Sequence, residues 1–183
     1  MNNIITRHRN FCEIDLKPQT AFFTGYRTKK LLKNNPSPTL LQNLKNTLTQ
    51  TIEELCRKGY IQFICGMNDG FDLIAASAIL EVQRYKPLIE LHAAIPFIGQ
   101  EDNYPDQEKI TYHQTLRSAN VVKVIYNNPT QQSDAHLLRN DFMIENSSTV
   151  VCYYDPNRNE LRSGTLYNVR HAQKKNIPVI NLF

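Results

Sequence analysis

Residues 60–80 read YIQFICGMNDGFDLIAASAIL. The first six, rich in Ile, Phe and Tyr, stop at Gly66, which is the pattern of a short buried strand. Gly66 and Gly70 bracket a tight loop. From Phe71 to about Lys86 the chain is rich in Ala, Ile and Leu over a length that suits a helix rather than a strand. Residues 89–95 (IELHAAI) form another apolar strand, ended by Pro96. Strand, helix and strand in this order, with strands too apolar to face water on either side, make a parallel βαβ unit.

The same punctuation continues outward. Upstream, residues 21–23 are a short apolar run that stops at Thr24 and Gly25, and residues 28–38 read as a polar loop. Leu40, Leu41, Leu44, Leu48, Ile52 and Leu55 then recur at helical spacing between Pro38 and Gly59, a start and a stop signal. Downstream, a loop runs to Pro105, which is placed to open a helix reaching about Ser118. Strands are expected at 121–126, 149–154 and 178–182, with helices at 135–146 and 165–175 between them. The expectation is a three-layer α/β domain. Its sheet is open, doubly wound, mostly parallel and of about six strands, with helices on both faces. Residues 1–19 are a lead-in and residues 20–183 a single domain.

A chain of 183 residues is one domain, large enough to bury a core without staples. The four cysteines, at 12, 56, 65 and 152, have neither zinc-ligand nor C-x-x-C spacing. Cys56, Cys65 and Cys152 lie in apolar segments and should be buried and reduced, whereas Cys12 should be exposed. The longest apolar run is 150–154, too short to span a membrane. The opening residues (MNNIITRHRNF) lack an apolar stretch of signal-peptide length. A cytoplasmic protein with no membrane partner is expected. The net charge of +4 suits a small phosphorylated ligand, but the basic clusters are too small to predict a nucleic-acid partner. Exposed helix faces on such sheets often pair, so a homodimer is a further expectation.

Ligands of such sheets sit beyond the carboxyl ends of the strands. After the first strand, Gly25 permits close backbone approach and Arg27 offers a planar fork of donors for a phosphate or carboxylate; it equally suits an exposed turn. After the second, Gly66 and Gly70 can bare N–H groups to an anion. Asp72 either complements a helix dipole, accepts from a ribose hydroxyl or holds Arg27 in place. After the third, the loop beyond Pro96 is long enough for a lid, with Gln100 and Tyr104 as candidate contacts. Leu138, Phe142 and Glu145 share nearly one helical face, which puts Arg139 off the centre of the apolar stripe. Ser163 is an N-cap candidate whose hydroxyl also suits a phosphate. The five histidines are scattered, and no metal motif or nucleophile elbow is present.

Taken in order, T-G-Y-R (24–27), G-x-x-x-G-F-D (66–72), P-F-x-G-Q (96–100), R-N-D-F-M-I-E-N (139–146) and S-G-T (163–165) resemble the SLOG superfamily, and within it the bacterial YpsA-like branch. The resemblance covers roughly residues 20–183. It implies a Rossmann-like fold and a site for a nucleotide or NAD-derived ligand. Thr24, Gly25 and Arg27 match its first motif, and Gly66, Gly70 and Asp72 its second. Ser163, Gly164 and Thr165 match its phosphate loop, with Ser163 in place of the usual first glycine; Arg139 falls in the fourth motif. Related phosphoribohydrolases carry a glutamate about where Asn168 stands, and an amide cannot serve as that carboxylate. Ligand binding or sensing is therefore the leading expectation. A nucleotide N-glycosidase using Asp69, Asp72 or Asp155, and a DNA-binding module like the superfamily's DNA-processing relatives (the DprA proteins), are the alternatives.

Overall fold

The computed structural model describes residues 16–32, 38–126, 132–157 and 163–183. Most of the lead-in, including Cys12, lies outside the described residues. After a 3-10 turn at Lys17–Gln19 the elements run β1 (Thr20–Gly25), α1 (Thr28–Leu31), α2 (Pro38–Arg57), β2 (Gln62–Cys65), α3 (Phe71–Gln83), β3 (Glu90–Ile95), α4 (Asp106–Ser118), β4 (Val121–Val124), α5 (Gln132–Glu145), β5 (Thr149–Tyr153), α6 (Gly164–Lys174) and β6 (Val179–Asn181). The six strands form one sheet in the order β4-β3-β2-β1-β5-β6. Every pairing is parallel, with Phe22 opposite Ile64 on one side and Val150 on the other. The three-layer Rossmann-like fold expected from the sequence is present.

Alternation along the strands sorts the side chains into two cores. Ala21, Phe23, Phe63, Cys65, Leu91 and Val151 join α2, α3 and α4 on one face. Phe22, Ile64, Ala94, Val150 and Cys152 join α5 and α6 on the other. Leu44, Leu48, Ile52 and Leu55 are the buried stripe of α2, as their spacing requires. Gly59, at φ +90°, turns the chain out of that helix. α3 lies between α2 and α4 and buries eight of its residues, so its mostly apolar sequence is that of a helix covered on several sides.

Two sequence readings are corrected. The segment after Arg27 is not loop throughout: Thr28–Leu31 is a helical turn, because Leu31 packs into the core. α5 begins at Gln132, three residues before the expected start at 135. Cys65 and Cys152 are buried free thiols and Cys56 is half-buried. Burial pushes the Cys152 thiol up to about 12. Among the described residues no helix is long and apolar enough to cross a membrane.

Candidate functional site

From β1 the sheet extends through β2, β3 and β4 on one side and through β5 and β6 on the other. The loops that follow β1 and β5 therefore diverge to opposite faces and leave a crevice at the carboxyl ends of the strands. A cavity of about 610 Å³ occupies that place.

β1 supplies the first wall. Thr24 points to the α5–α6 face, where its Oγ1 accepts from Asn168 Nδ2 at 2.9 Å. Gly25 cannot be larger: a Cβ there would lie 2.6 Å from Cβ of the buried Phe71. Its carbonyl accepts from Thr165 Oγ1 at 2.9 Å, which ties β1 to the start of α6. Arg27 lies at the cavity rim, its side chain 54% exposed, with Nη1 3.4 Å from Asp69 Oδ1. Its Nη2 donates to Asn68 Oδ1 at 3.4 Å. Asp69 and Asn68 position Arg27; Asp72 forms no hydrogen bond to it.

The β2–α3 loop supplies the second wall. Met67 and Gly70 both take positive φ, 60° and 84°. Only glycine fits at 70, where a Cβ would lie 2.5 Å from Thr28 N and 2.7 Å from Tyr26 O. Gly66 leaves room for Arg139, whose Nη1 would be 2.3 Å from a Cβ at that position. Gly66 and Gly70 therefore shape the loop from behind and do not line the cavity. Asp72 does line it, yet is only 2% exposed. Its Oδ2 accepts from Asn68 N at 3.2 Å and Asn68 Nδ2 at 3.1 Å. Burial pushes its carboxyl up to about 6, against the opposing pull of the Arg139 charge and the Asn68 donors. Gln100 and Tyr104 are not lid contacts. Both are buried and donate to Met67 O, at 2.8 and 3.1 Å, so they pin the loop from outside.

α5 supplies the third wall, and the structure decides which side of the helix faces in, a choice that the apolar spacing left open. Leu138 is 43% exposed, whereas Arg139 is 3% exposed. The inward face is Ala135, Arg139, Asn140 and Met143, and polar residues occupy it because their partners lie on other elements. Arg139 Nη1 donates to the Gly66 carbonyl, and Nε donates to Asn140 Oδ1 at 3.1 Å. Burial lowers the Arg139 pKa, and the nearby Asp72 charge opposes that shift. His136, one turn earlier, also lines the cavity. Burial, with the Arg139 and Arg27 charges, pushes its pKa down to about 4, so it is neutral at pH 7.

α6 closes the site. Ser163 is the N-cap as expected: its Oγ accepts from Leu166 N at 3.4 Å. Gly164, Thr165 and Asn168 also line the cavity, so the helix directs its N-terminal N–H groups toward it.

Of the ten residues expected at the site, the structure brings Thr24, Gly25, Arg27, Asp72, Arg139, Ser163, Gly164 and Thr165 to one cavity. Sequence reading left Tyr26, Lys29, Lys30, Asn68, His136, Asn140, Met143 and Asn168 out of the expected site, and they line it too. Helical spacing carried a signal for several: His136, Asn140 and Met143 lie within one turn of Arg139, and Asn168 one turn after Gly164. Asp155, offered as a catalytic acid, is not part of the lining; its backbone N–H donates to Tyr26 Oη at 2.7 Å. Among the described lining residues Asp72 is the sole carboxylate, beside the cations Arg27, Lys29, Lys30 and Arg139. No group of acidic, histidine or cysteine side chains suited to a metal ion occurs among the described residues.

Comparison with known proteins places the chain. A UPF0398 protein of Halalkalibacterium halodurans is 24% identical over 135 residues, covering 74% of this chain and 71% of the relative. One from Bacillus cereus strain B4264 is 28% identical over 153 residues, covering 83% and 81%. One from Bacillus velezensis is 22% identical over 152 residues, covering 83% and 82%. The model of the family described as the YspA SLOG family matches residues 21–182, and the chain belongs to that YpsA family of SLOG proteins.

Proposed function

We propose that the cavity binds a phosphorylated small ligand of the nucleotide or NAD-derived class, and that the protein is a binder or sensor. The observation that carries this reading is the convergence of Arg27, Arg139 and the capped N-terminus of α6 on one cavity at the switch point of the sheet. Guanidinium forks and helix N–H groups are the donors that phosphates select. A volume of about 610 Å³ is of the size that holds a nucleotide-sized molecule. Membership of the SLOG family agrees with a nucleotide-related role.

Binding without turnover is favoured because glycosidic hydrolysis ordinarily uses two carboxylates. Asp72 alone faces this cavity among the described residues, and Asn168 is an amide. One observation favours an N-glycosidase as the second reading: the Asp72 carboxyl, at about 6, is poised to give and take a proton near neutrality.

The test is thermal shift with AMP, ADP, ATP, GTP, NAD, ADP-ribose, cyclic dinucleotides and ribose 5-phosphate, followed by chromatography of any ligand that binds. A ligand at about 100 times its Kd stabilises the fold by about 2.7 kcal/mol, or roughly 5–10 °C here. In Arg27→Ala the affinity should fall about tenfold or more, since one charge-assisted contact is lost. No shift with any member refutes the reading. Release of free base moves it to the N-glycosidase.

A further inference from the structure

Beside the cavity at the strand tips lies a second one, of about 580 Å³, along the outer side of α6. Ser163 and Gly164 line both, so the two hollows meet across the first turn of that helix. From there the groove follows one helical face, formed by Tyr167, Arg170, His171 and Lys174, past Leu137 of α5. Gly164 and Lys174 stand roughly 15 Å apart along the axis.

The groove has the chemistry of a nucleotide site. The Tyr167 and His171 rings stack with centroids 3.8 Å apart and make an aromatic wall. Arg170 and Lys174 are exposed, and neither bonds a described residue. No carboxylate lines the groove among the described residues; Asp141 accepts from Tyr167 Oη at 2.7 Å, which fixes the ring, and lies outside the lining. Aromatic faces stack bases, and cations without partners take phosphates.

Gly164 stands at the junction, and the fold does not require a glycine there. Gly59, Gly70 and Gly99 take positive φ, and a Cβ at Gly25 or at Gly66 would lie 2.3 Å from its nearest neighbour. At 164 φ is not positive, and a Cβ would meet only Asn140 Nδ2, at an ordinary 3.8 Å. The exposed glycine puts no side chain of its own in the passage from one hollow to the other. We propose that one ligand occupies both, a dinucleotide with one nucleotide unit in the strand-tip cavity. Its bridging phosphates run from the N-terminus of α6 toward Arg170 and Lys174, and its second base lies against the Tyr167–His171 pair. Each hollow alone has the volume of a single nucleotide site. The inference rests on the phosphate-binding reading above and adds the second half of the ligand.

The test is calorimetric titration of the wild-type chain and the double variant Arg170→Gln/Lys174→Gln with AMP, ADP, ATP and diadenosine polyphosphates carrying two, three or four bridging phosphates. At least one of the linked molecules should bind wild type about tenfold or more tighter than any of the mononucleotides, since its second half binds as an intramolecular event. ADP and ATP control for the added phosphates. In the double variant that advantage should fall to about threefold or less, while AMP binds within about twofold of wild type. Physiological salt screens exposed charges beyond about 8 Å, which keeps the two substitutions from acting on the first cavity at a distance. Both side chains are exposed, so the variant should melt with wild type. Linked molecules that bind wild type no better than the mononucleotides overturn the proposal. So does an advantage that survives in the double variant, or an AMP affinity that falls there as far as theirs. Each of these outcomes leaves the reading of the first cavity standing. If neither the mononucleotides nor the linked molecules bind, the phosphate reading itself falls, and this one with it.

Discussion

Asp72 titrates in a buried position, and replacing it with asparagine isolates that titration. Its carboxyl ordinarily loses its proton at 3.8, but burial in the fold raises this to about 6. A tenfold change in proton affinity corresponds to about 1.4 kcal/mol, so holding the group ionised costs the fold about 3 kcal/mol. The folded state binds this proton more tightly than the unfolded state. Its contribution is therefore most favourable below about pH 4, declines as pH rises toward 6, and is flat above that. Asp72→Asn cannot titrate, yet keeps an oxygen that accepts from Asn68 N and Nδ2. Removing the charge beside Arg139 shifts the variant's stability by an amount independent of pH across this range. The assay is urea unfolding of both chains at intervals from pH 4 to pH 8. Wild-type stability minus variant stability should fall by about 2.4 kcal/mol from pH 4 to pH 8, about 2 kcal/mol of it between pH 4 and 6. A difference that stays flat through that window, or rises with pH, refutes the assignment of a raised Asp72 pKa.

Three further outcomes follow from the geometry. Gly70→Ala should lower stability by about 3 kcal/mol, and Tm by roughly 6–12 °C, because a side chain at φ +84° meets the backbone at Thr28 and Tyr26; a melt within about 2 °C of wild type contradicts the steric account. On α5, Leu138→Gln should change unfolding free energy by less than about 0.5 kcal/mol, whereas Met143→Ala, at a fully buried site, should cost about 2–5 kcal/mol; the reverse order in urea melts refutes the face assignment. Ser163→Ala removes the cap of α6 and should cost about 1 kcal/mol in thermal unfolding while weakening phosphate binding; unchanged affinity separates the cap from the ligand.

Much of the site was legible because several of its residues interrupt local patterns. Gly25 ends an apolar run where the chain must turn, and Ser163 precedes a helix as a cap does. Arg139 was harder. Apolar spacing on α5 favours Leu138, yet Leu138 faces out and Arg139 faces in. Periodicity assumes that buried faces are apolar, and it fails where a buried cation finds the Gly66 carbonyl in the β2–α3 loop and a carboxylate nearby. Gln100 and Tyr104 looked like lid residues because they sit in a long loop; their donation to Met67 O is a contact between segments more than thirty residues apart.

The sequence by itself determined the order of elements, the parallel sheet and the loops that meet at its carboxyl edge, because strand length, helical spacing and glycine stops are local properties. Tertiary structure alone decided which polar residues share the cavity, that Asp69 rather than Asp72 holds Arg27, and that Asn168 bonds Thr24. Those facts depend on distances between walls drawn from β1, the β2–α3 loop, α5 and α6, and burial acts on Asp72 and His136 only once those walls enclose them.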